Sequence, residues 1–392
     1  MKKMRYIAVI LAVMAYGSIR AVNYADILLQ IDNNNVELKA MGARNSADMD
    51  ELRAGNSLGG PEVDFSYLFG DPSVGDKWEI GASQSFEWLG VYHARSKVIS
   101  SRSESLDYQY EATRRDIHTQ VLAQCCEMVW VNKQLALYNE IVADVDSLMA
   151  AYNKAFQHGE VSILDINKLK LETVAARRMV KNLESRRAEL QVSLAELNGG
   201  VALTGIVFDE YPLLQMPASI DAYVAVATEK DPMALYFKKR NAADEYDVSV
   251  AKRSLLPSFS VGYRHVNELG DRFNGVTAGV SLPLYSGKKS IKAARARKEA
   301  NRYEAELWEK SVTEELTKEY TLAQSLADEH NMYDVVLPKD NIELLHKALN
   351  AGQISLVEYL LEKRFFTEAL IEQLEVEYLY MQSLNSINRY NY

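Results

Sequence analysis

The feature that most constrains this chain is a seven-residue stretch that occurs twice, about half the chain length apart. Residues 159–165 and residues 352–358 follow one order: glycine, a polar residue, a β-branched apolar residue, serine, two apolar residues and an acid. Glycine suits the positive φ just past a helix end. Serine followed three residues later by an acid resembles a capping box. Each copy therefore predicts a sharp helical hairpin tip, at 159–162 and 352–355.

Long helical segments run into and out of each tip. Residues 92–157 contain neither proline nor glycine and predict one helix on the order of 100 Å long. Residues 162–198 predict a second helix with a heptad seam. The seam residues are Ile166, Leu169, Thr173, Ala176, Val180, Leu183, Arg187, Leu190, Leu194 and Leu197. In the second half, 289–350 and 355–390 read the same way, and Pro338 is expected to kink the first of them.

Each half also carries two short runs of alternating residues ahead of its long helix. These runs predict β-hairpins at 61–89 and 257–285. The apolar row of the first hairpin includes Val63, Phe65, Tyr67, Trp78 and Ile80. The chain therefore divides into a first repeat (22–198), a linker (199–220) and a second repeat (221–392). Residues 1–21 have the basic start, apolar core and small residues of a secretory signal peptide.

Composition argues against several classes of function. The formal net charge is −10, so a nucleic-acid partner is not expected. The six histidines lack metal-ligand spacing, and each reads as a surface or tolerated helix residue. We find no catalytic constellation and no phosphate-binding glycine loop. The sequence thus predicts neither an enzyme nor a cofactor or metal site.

The strands suggest contact with a membrane. Their length fits the ~9–11 residues of a transmembrane strand, and one face is apolar while the other is small and polar. Four strands cannot close a barrel, and lipid does not tolerate open edges. Three copies would supply twelve strands, with the helices forming a tube below. The alternative for the strands is a small soluble sheet.

The order and spacing of these elements resemble the TolC-type outer-membrane efflux proteins over essentially the whole mature chain. The tips carry the resemblance, as do the segments 256–261 (Leu-Pro-Ser-Phe-Ser-Val) and 280–287 (Val-Ser-Leu-Pro-Leu-Tyr-Ser-Gly). The resemblance implies a mainly α fold and a homotrimer, with a twelve-stranded outer-membrane β-barrel and a periplasmic α-barrel. It also implies docking to a periplasmic adaptor of an inner-membrane pump. Residues 335–338 (Val-Val-Leu-Pro) resemble the branch that serves resistance-nodulation-division pumps.

Two departures from the family stand out. Many relatives are lipidated at an N-terminal cysteine, which this chain lacks. In the family, two acids near the second tip ring the periplasmic entrance. Glu358 matches the first acid, whereas the second falls on Leu361, with Glu362 beside it. The resemblance therefore leaves a two-ring acidic gate in doubt.

The candidate site residues all lie at the tips. Glu358 either contributes to an acidic ring that favours cations or only caps its helix, as Asp165 would at the other tip. The adaptor-docking candidates are Gly159, Val161, Ser162, Gly352, Ile354 and Ser355. Val161 and Ile354 are expected to be exposed apolar side chains, covered either by the adaptor or by neighbouring tips.

The function expected from these features is a passive exit channel in the outer membrane. The competing interpretation is a soluble periplasmic scaffold or adaptor built from coiled coils and small sheets. The sequence leaves the cargo open among drugs, metal ions and secreted proteins.

Overall fold

The computed structural model describes residues 24–73, 75–283, 287–336 and 341–391. The elements of the first half are α1 (Tyr24–Asn34), α2 (Val36–Ala54), β1 (Glu62–Leu68), β2 (Lys77–Phe86), α3 (Leu89–Gln157) and α4 (Ile163–Leu197). Those of the second half are α5 (Ile220–Lys230), α6 (Pro232–Arg253), β3 (Ser258–Glu268), β4 (Asp271–Ser281), α7 (Gly287–Val336), α8 (Asn341–Asn350) and α9 (Leu356–Asn388). The mainly α architecture with four strands is as predicted.

Some predictions lie outside the described residues. They are the signal peptide at 1–21, the end of the second hairpin at 284–285, and the expected kink at Pro338. Among the described residues, none of the helices combines the length and the apolar character needed to cross a bilayer.

The chain divides into two compact units, and each takes residues from both sequence repeats. The first, the tip unit, comprises Met1–Glu37, Arg114–Ile220 and Glu315–Tyr392. The second, the sheet unit, comprises Leu38–Thr113 and Asp221–Glu314. Helices α3 and α7 contribute residues to both units. The repeat in the sequence is therefore not the unit of packing.

The sheet unit contains one four-stranded antiparallel meander in the order β1-β2-β3-β4. The two hairpins pair through β2 and β3, with Trp78 opposite Asn267 and Phe86 opposite Phe259. Within the described sheet, the outer edges of β1 and β4 have no neighbouring strand. Each outer edge therefore presents backbone N–H and C=O groups without a ladder partner.

The two faces of the sheet differ sharply in chemistry. One face carries exposed apolar side chains, including Val63, Phe65 and Val276, which are 68%, 65% and 79% exposed. On the opposite face, Arg264 lies 3.4 Å from Glu79 and 3.6 Å from Asp64. Because successive side chains of a strand point to opposite faces, the alternation in the sequence produces this segregation. The predicted apolar and polar faces are thus confirmed.

The tip unit is built on the predicted heptad seam of α4. Six of the ten seam positions are buried: Ile166, Leu169, Ala176, Leu183, Leu190 and Leu194. Thr173 is tolerated on the seam because its polar hydroxyl has a partner: it donates to the Leu169 carbonyl at 2.9 Å. The heptad pattern places Arg187 on the seam, but its side chain is exposed, so this part of the prediction is wrong. A long, charged side chain keeps its guanidinium in water where the local packing allows it.

Around Leu169 of the seam, helices from both repeats share one apolar cluster. Its buried members are Val145 and Leu148 of α3, Leu169 of α4, and Leu356 and Tyr359 of α9. Leu345 and Leu349 of α8 pack against it. The cluster reaches the second tip through Ile354.

Candidate functional site: the two helical tips

The first tip is an αα-hairpin turn built from two capping motifs. Gly159 has φ +73°. The Gly159 N–H donates to the Phe156 carbonyl at 3.0 Å, and the Glu160 N–H donates to the Ala155 carbonyl at 3.0 Å. This pair of bonds is a Schellman motif, which satisfies carbonyls at the end of α3. Ser162 then caps α4 in a complete capping box with Asp165.

The second tip repeats this geometry closely. Gly352 has φ +68°. Its N–H donates to the Leu349 carbonyl at 3.0 Å, and the Gln353 N–H donates to the Ala348 carbonyl at 2.9 Å. Ser355 caps α9 in a second capping box with Glu358. The sequence-based prediction of two equivalent turns is confirmed at the level of individual hydrogen bonds.

Glu358 and Asp165 occupy the same position in the two caps. The Glu358 carboxylate accepts the Ser355 N–H at 2.7 Å, which lowers the pKa of Glu358. Hydrogen bonding from the Ser162 hydroxyl at 2.8 Å likewise lowers the pKa of Asp165. Both carboxylates therefore stay ionised at neutral pH. The capping role of Glu358 is present in the structure, and it leaves the negative charge at an exposed position.

The apolar residues predicted to project from the tips are less exposed than expected. Val161 and Ile354 are both half-buried. Ile354 packs against the shared apolar cluster of its own chain, because the turn directs it back toward Leu356. The exposed apolar side chains beside the first tip are instead Ile163 and Leu164, at 51% and 66%. Sequence reasoning missed these two, although both lie inside the repeated stretch.

A buried polar cluster beside the second tip was also missed. Asp144 of α3 forms an ion pair with Lys363 of α9 and accepts a hydrogen bond from the Tyr359 hydroxyl at 2.9 Å. His346 of α8 places Nε2 2.9 Å from the other Asp144 oxygen. Burial and the Asp144 carboxylate raise the pKa of Tyr359, so its phenol remains a donor.

The spacing of residues along α9 contained a signal for this cluster. Tyr359 and Lys363 fall at seam spacing from Leu356, and a lysine on a buried seam requires a charged partner. The side chains of Lys363 and Asp144 are only 7% and 15% exposed. His346, expected at the surface, in fact joins three helices at this point.

The fold and the sequence can now be compared with known proteins. Residues 25–200 match the sequence profile of the family described as outer membrane efflux protein. The fold across 94% of the chain is also that of solved outer-membrane channels. Over residues 25–200 the chain is therefore similar to outer membrane efflux proteins.

Three solved structures illustrate the likeness of the fold. CusC aligns with a TM-score of 0.77 at 15% identity, over 94% of this chain and 91% of its own. The CmeC outer membrane channel of Campylobacter jejuni gives 0.72 at 15%, over 94% and 85%. The open state of the MtrE outer membrane channel of Neisseria gonorrhoeae gives 0.76 at 11%, over 94% and 88%. A search of curated proteins found no match.

At these identities the likeness establishes the fold of this chain alone. Across residues 24–73, 75–283, 287–336 and 341–391, no group of three or more histidine, cysteine, aspartate or glutamate side chains is arranged to hold a metal ion. The tips and the sheet edges are therefore the features from which a function must be argued.

Proposed function

We propose that this chain assembles as a homotrimer into the passive outer-membrane exit channel of a tripartite efflux system. The observation that carries the proposal is the four-stranded sheet, whose outer strands β1 and β4 have unpaired edges and whose apolar face is exposed. Lipid cannot hydrogen-bond those edges, so another copy must supply the missing strand.

The strand order allows closure by simple rotation. In the antiparallel meander, β4 runs opposite to β1. The β4 edge of one copy can therefore pair with the β1 edge of the next in the same antiparallel sense. Three copies give twelve strands, an even number with room for an open lumen. A rotation that closes after three copies leaves no edge exposed.

The faces of the sheet agree with this arrangement. Val63, Phe65 and Val276 would face lipid, and the Arg264 ion pairs would face the water-filled lumen. Charge on the lipid face is strongly unfavourable, while charge in the lumen is tolerated.

Neighbouring residues of β4 give a matched test of the two faces. Val276→Arg places a charge on the lipid face and is expected to reduce trimer in the outer membrane severely, with a cost of about 2–4 kcal/mol near the midplane. Thr277→Arg, one residue along, places the same charge in the lumen and is expected to leave assembly intact. Fractionation followed by unheated gel electrophoresis measures both, and equal effects would contradict the barrel.

The same fractionation separates the channel from the soluble scaffold. A heat-modifiable trimer extracted from outer membrane with detergent supports the channel. A stable monomer in the periplasmic fraction, without detergent, would contradict it.

At the periplasmic end, the tips would dock an adaptor protein that links the channel to an inner-membrane pump, which supplies the energy. Exposed Ile163 and Leu164 beside the half-buried Val161 support a partner surface at the first tip. Site-specific crosslinking from Leu164 and from residues next to Gly159 and Gly352 tests this. Adaptor adducts from these positions, but not from exposed Val192 far along α4, are expected.

Glu358 would serve two roles at once in this assembly. Its cap bonds hold the carboxylate ionised, and three such carboxylates near the trimer axis would favour cations. Glu358→Ala should lower cation selectivity in planar bilayers. Asp165→Ala removes the equivalent cap and should leave selectivity unchanged. If both variants behave alike, Glu358 is only a cap.

A further inference from the structure

The start of α7 concentrates positive charge in a chain that is acidic overall. Residues 287–298 contain six lysine and arginine residues and no acid, whereas the formal net charge of the whole chain is −10. The first turn includes Lys288 and Lys289 and has no acidic residue. A helix N-terminus favours anions, because the helix dipole places partial positive charge there. Cations at this position are therefore locally unfavourable, and an anion outside the helix would compensate for them.

The end of α6 brings two more cations to the same place. Lys252 and Arg253 are the last residues of α6, and both are exposed. Two residues later, Leu255 packs against Gly287, the first residue of α7. The contact is so close that a Cβ added at Gly287 would overlap the Leu255 side chain. The last turn of α6 and the first turn of α7 therefore meet, and their cations lie together.

Lysine and arginine side chains from both helices form one exposed surface, the basic patch. Its members are Lys252, Arg253, Lys288, Lys289, Lys292 and Arg295. Among the residues that the structure describes, none of the six forms an ion pair with a carboxylate. Farther along α6, by contrast, Arg240 pairs with Glu304 at 3.0 Å. Farther along α7, Lys298 pairs with Glu245 at 3.2 Å. The patch thus keeps its charge available for a partner outside the chain.

The basic patch lies at the end of the sheet where the strands join the helices. Trp88 follows β2 and Phe259 lies at the start of β3, with their ring centroids 6.0 Å apart. Both are exposed, at 43% and 39%. Arg253 donates to the Gly90 carbonyl at 2.9 Å, two residues from Trp88. In membrane proteins, aromatic side chains mark the level where hydrocarbon meets headgroups. Cations just beyond this aromatic pair are therefore at the level of the headgroups.

The opposite end of the sheet has a different charge. Its two hairpin connections, 69–77 and 267–272, together carry four acids and two cations. Positive charge is therefore not a general property of the strand ends. It is confined to the end from which the helices leave, which in the proposed channel is the periplasmic end.

We propose that the basic patch binds the phosphate headgroups of anionic phospholipids in the leaflet of the outer membrane that faces the periplasm. The proposal rests on the proposed function, since a sheet that spans the bilayer is what brings the patch to that surface. A basic segment beside a membrane span is attracted to an anionic leaflet, and salt weakens the attraction within the Debye length. Bound headgroups would also supply the anion that the first turn of α7 lacks.

Lipid preference of the purified trimer, measured by native mass spectrometry, tests the proposal. The trimer in neutral detergent is mixed with equal amounts of phosphatidylglycerol and phosphatidylcholine of the same chain length. We expect phosphatidylglycerol to be retained roughly tenfold over phosphatidylcholine at low salt, and the preference to fall as salt is added. The test variant carries Lys252→Gln, Lys288→Gln, Lys289→Gln and Lys292→Gln. It should lose most of the preference.

A matched control removes the same amount of charge elsewhere. It carries Lys170→Gln, Lys181→Gln, Lys238→Gln and Lys318→Gln, at exposed lysines on α4, α6 and α7 away from the patch. This control should keep the preference for phosphatidylglycerol. Arginine at the four patch positions preserves the charge and should keep it as well. Inorganic phosphate at the lipid concentration should not displace phosphatidylglycerol, and displacement would show a site for free anions, which would overturn the proposal.

The outcomes separate failure of this proposal from failure of the proposed function. If the trimer forms but shows no preference, or if the patch variant and the control keep it equally, lipid binding by the patch is wrong and the channel stands. If the patch variant dissociates into monomers while the control stays trimeric, the patch is a contact between subunits, which also overturns the proposal. If the unchanged protein yields no trimer from the outer membrane, the proposed function fails and lipid binding falls with it.

Discussion

The two tips have the same turn chemistry but different surroundings. Gly159 and Gly352 adopt φ values of +73° and +68°, and Ser162 and Ser355 make matching capping boxes. Beyond the turn, α4 packs through an almost wholly apolar seam. Helix α9 instead carries Lys363 on its buried face and the exposed Leu361 and Phe365 on the opposite face.

The difference is clearest at two aspartates of α3 that lie two residues apart. Asp144 pairs with Lys363 of α9 in a buried setting, with 15% and 7% of the side chains exposed. Asp146 pairs with Arg177 of α4 at 2.9 Å, with 44% and 59% exposed. One helix thus holds the first tip through a surface pair and the second through a buried network. The two tips therefore share one backbone turn but lie in different surroundings.

The largest expected effect comes from breaking the buried pair. Lys363→Ala leaves the Asp144 carboxylate buried without its cation and should destabilise the α9 contact by about 3–5 kcal/mol. Hydrogen exchange of the α9 amides measures this local opening. Arg177→Ala is the matched control at the other tip and should cost ~1 kcal/mol or less, because its pair is solvated. Similar losses of stability at the two tips would contradict the difference between the buried pair and the surface pair.

A smaller effect should be equal at both tips. Gly159→Ala and Gly352→Ala force a side chain into positive φ and should each cost about 1–2 kcal/mol. No atom lies within 4 Å of the added Cβ at either site, so steric clash adds nothing. Gly42→Ala in the interior of α2 is the control and should stabilise by up to ~1 kcal/mol, since alanine favours a helix. Thermal unfolding of the detergent-solubilised protein measures all three variants.

Removing the cap serines should cost less. Ser162→Ala and Ser355→Ala each lose one side-chain acceptor for an orphan N–H and should destabilise by about 1 kcal/mol. Asparagine at the same positions can still accept that bond and should restore most of the loss. Hydrogen exchange at the first turns of α4 and α9 reports the change. Failure of asparagine to restore protection would indicate that the hydroxyl acts in some other way.

The smallest expected effect is a pH dependence of stability that both tips share. The pKa values of Asp165 and Glu358 are lowered in the folded state by their cap hydrogen bonds. The stabilisation is therefore complete above their ordinary pKa values, near 4, and is lost as pH falls through the folded values. Pepsin cleavage at the tips should rise as pH drops below about 4. Asp165→Asn should remove this dependence at the first tip alone.

The turns could be predicted from sequence because their determinants are local. Each capping box joins residues three apart, and each Schellman motif spans six residues. The alternation of the strands is equally local, so the two faces of the sheet followed from period two. Arg187 shows where prediction from the heptad period fails. It stands at a heptad position, yet its side chain is exposed, because a heptad position does not by itself specify burial.

The buried network could not be predicted because its members come from three separate stretches. Asp144 and Lys363 are 219 residues apart, and His346 belongs to a third helix. The pattern marked Lys363 as a lysine on an apolar seam, but it could not say which acid would meet it. The exposure of Ile163 and Leu164 likewise depends on which neighbouring helices leave them uncovered.

The sequence by itself therefore determined the duplicated order of elements, the two tips and the two-faced strands. Each of these depends on bonds and periodicities that act within a few residues. The tertiary structure alone decided that both repeats mix in each compact unit, that Asp144 holds α9, and that β2 and β3 join the two hairpins into one sheet. Those features depend on distant residues meeting in space, and burial and long-range pairing are properties of the packed chain.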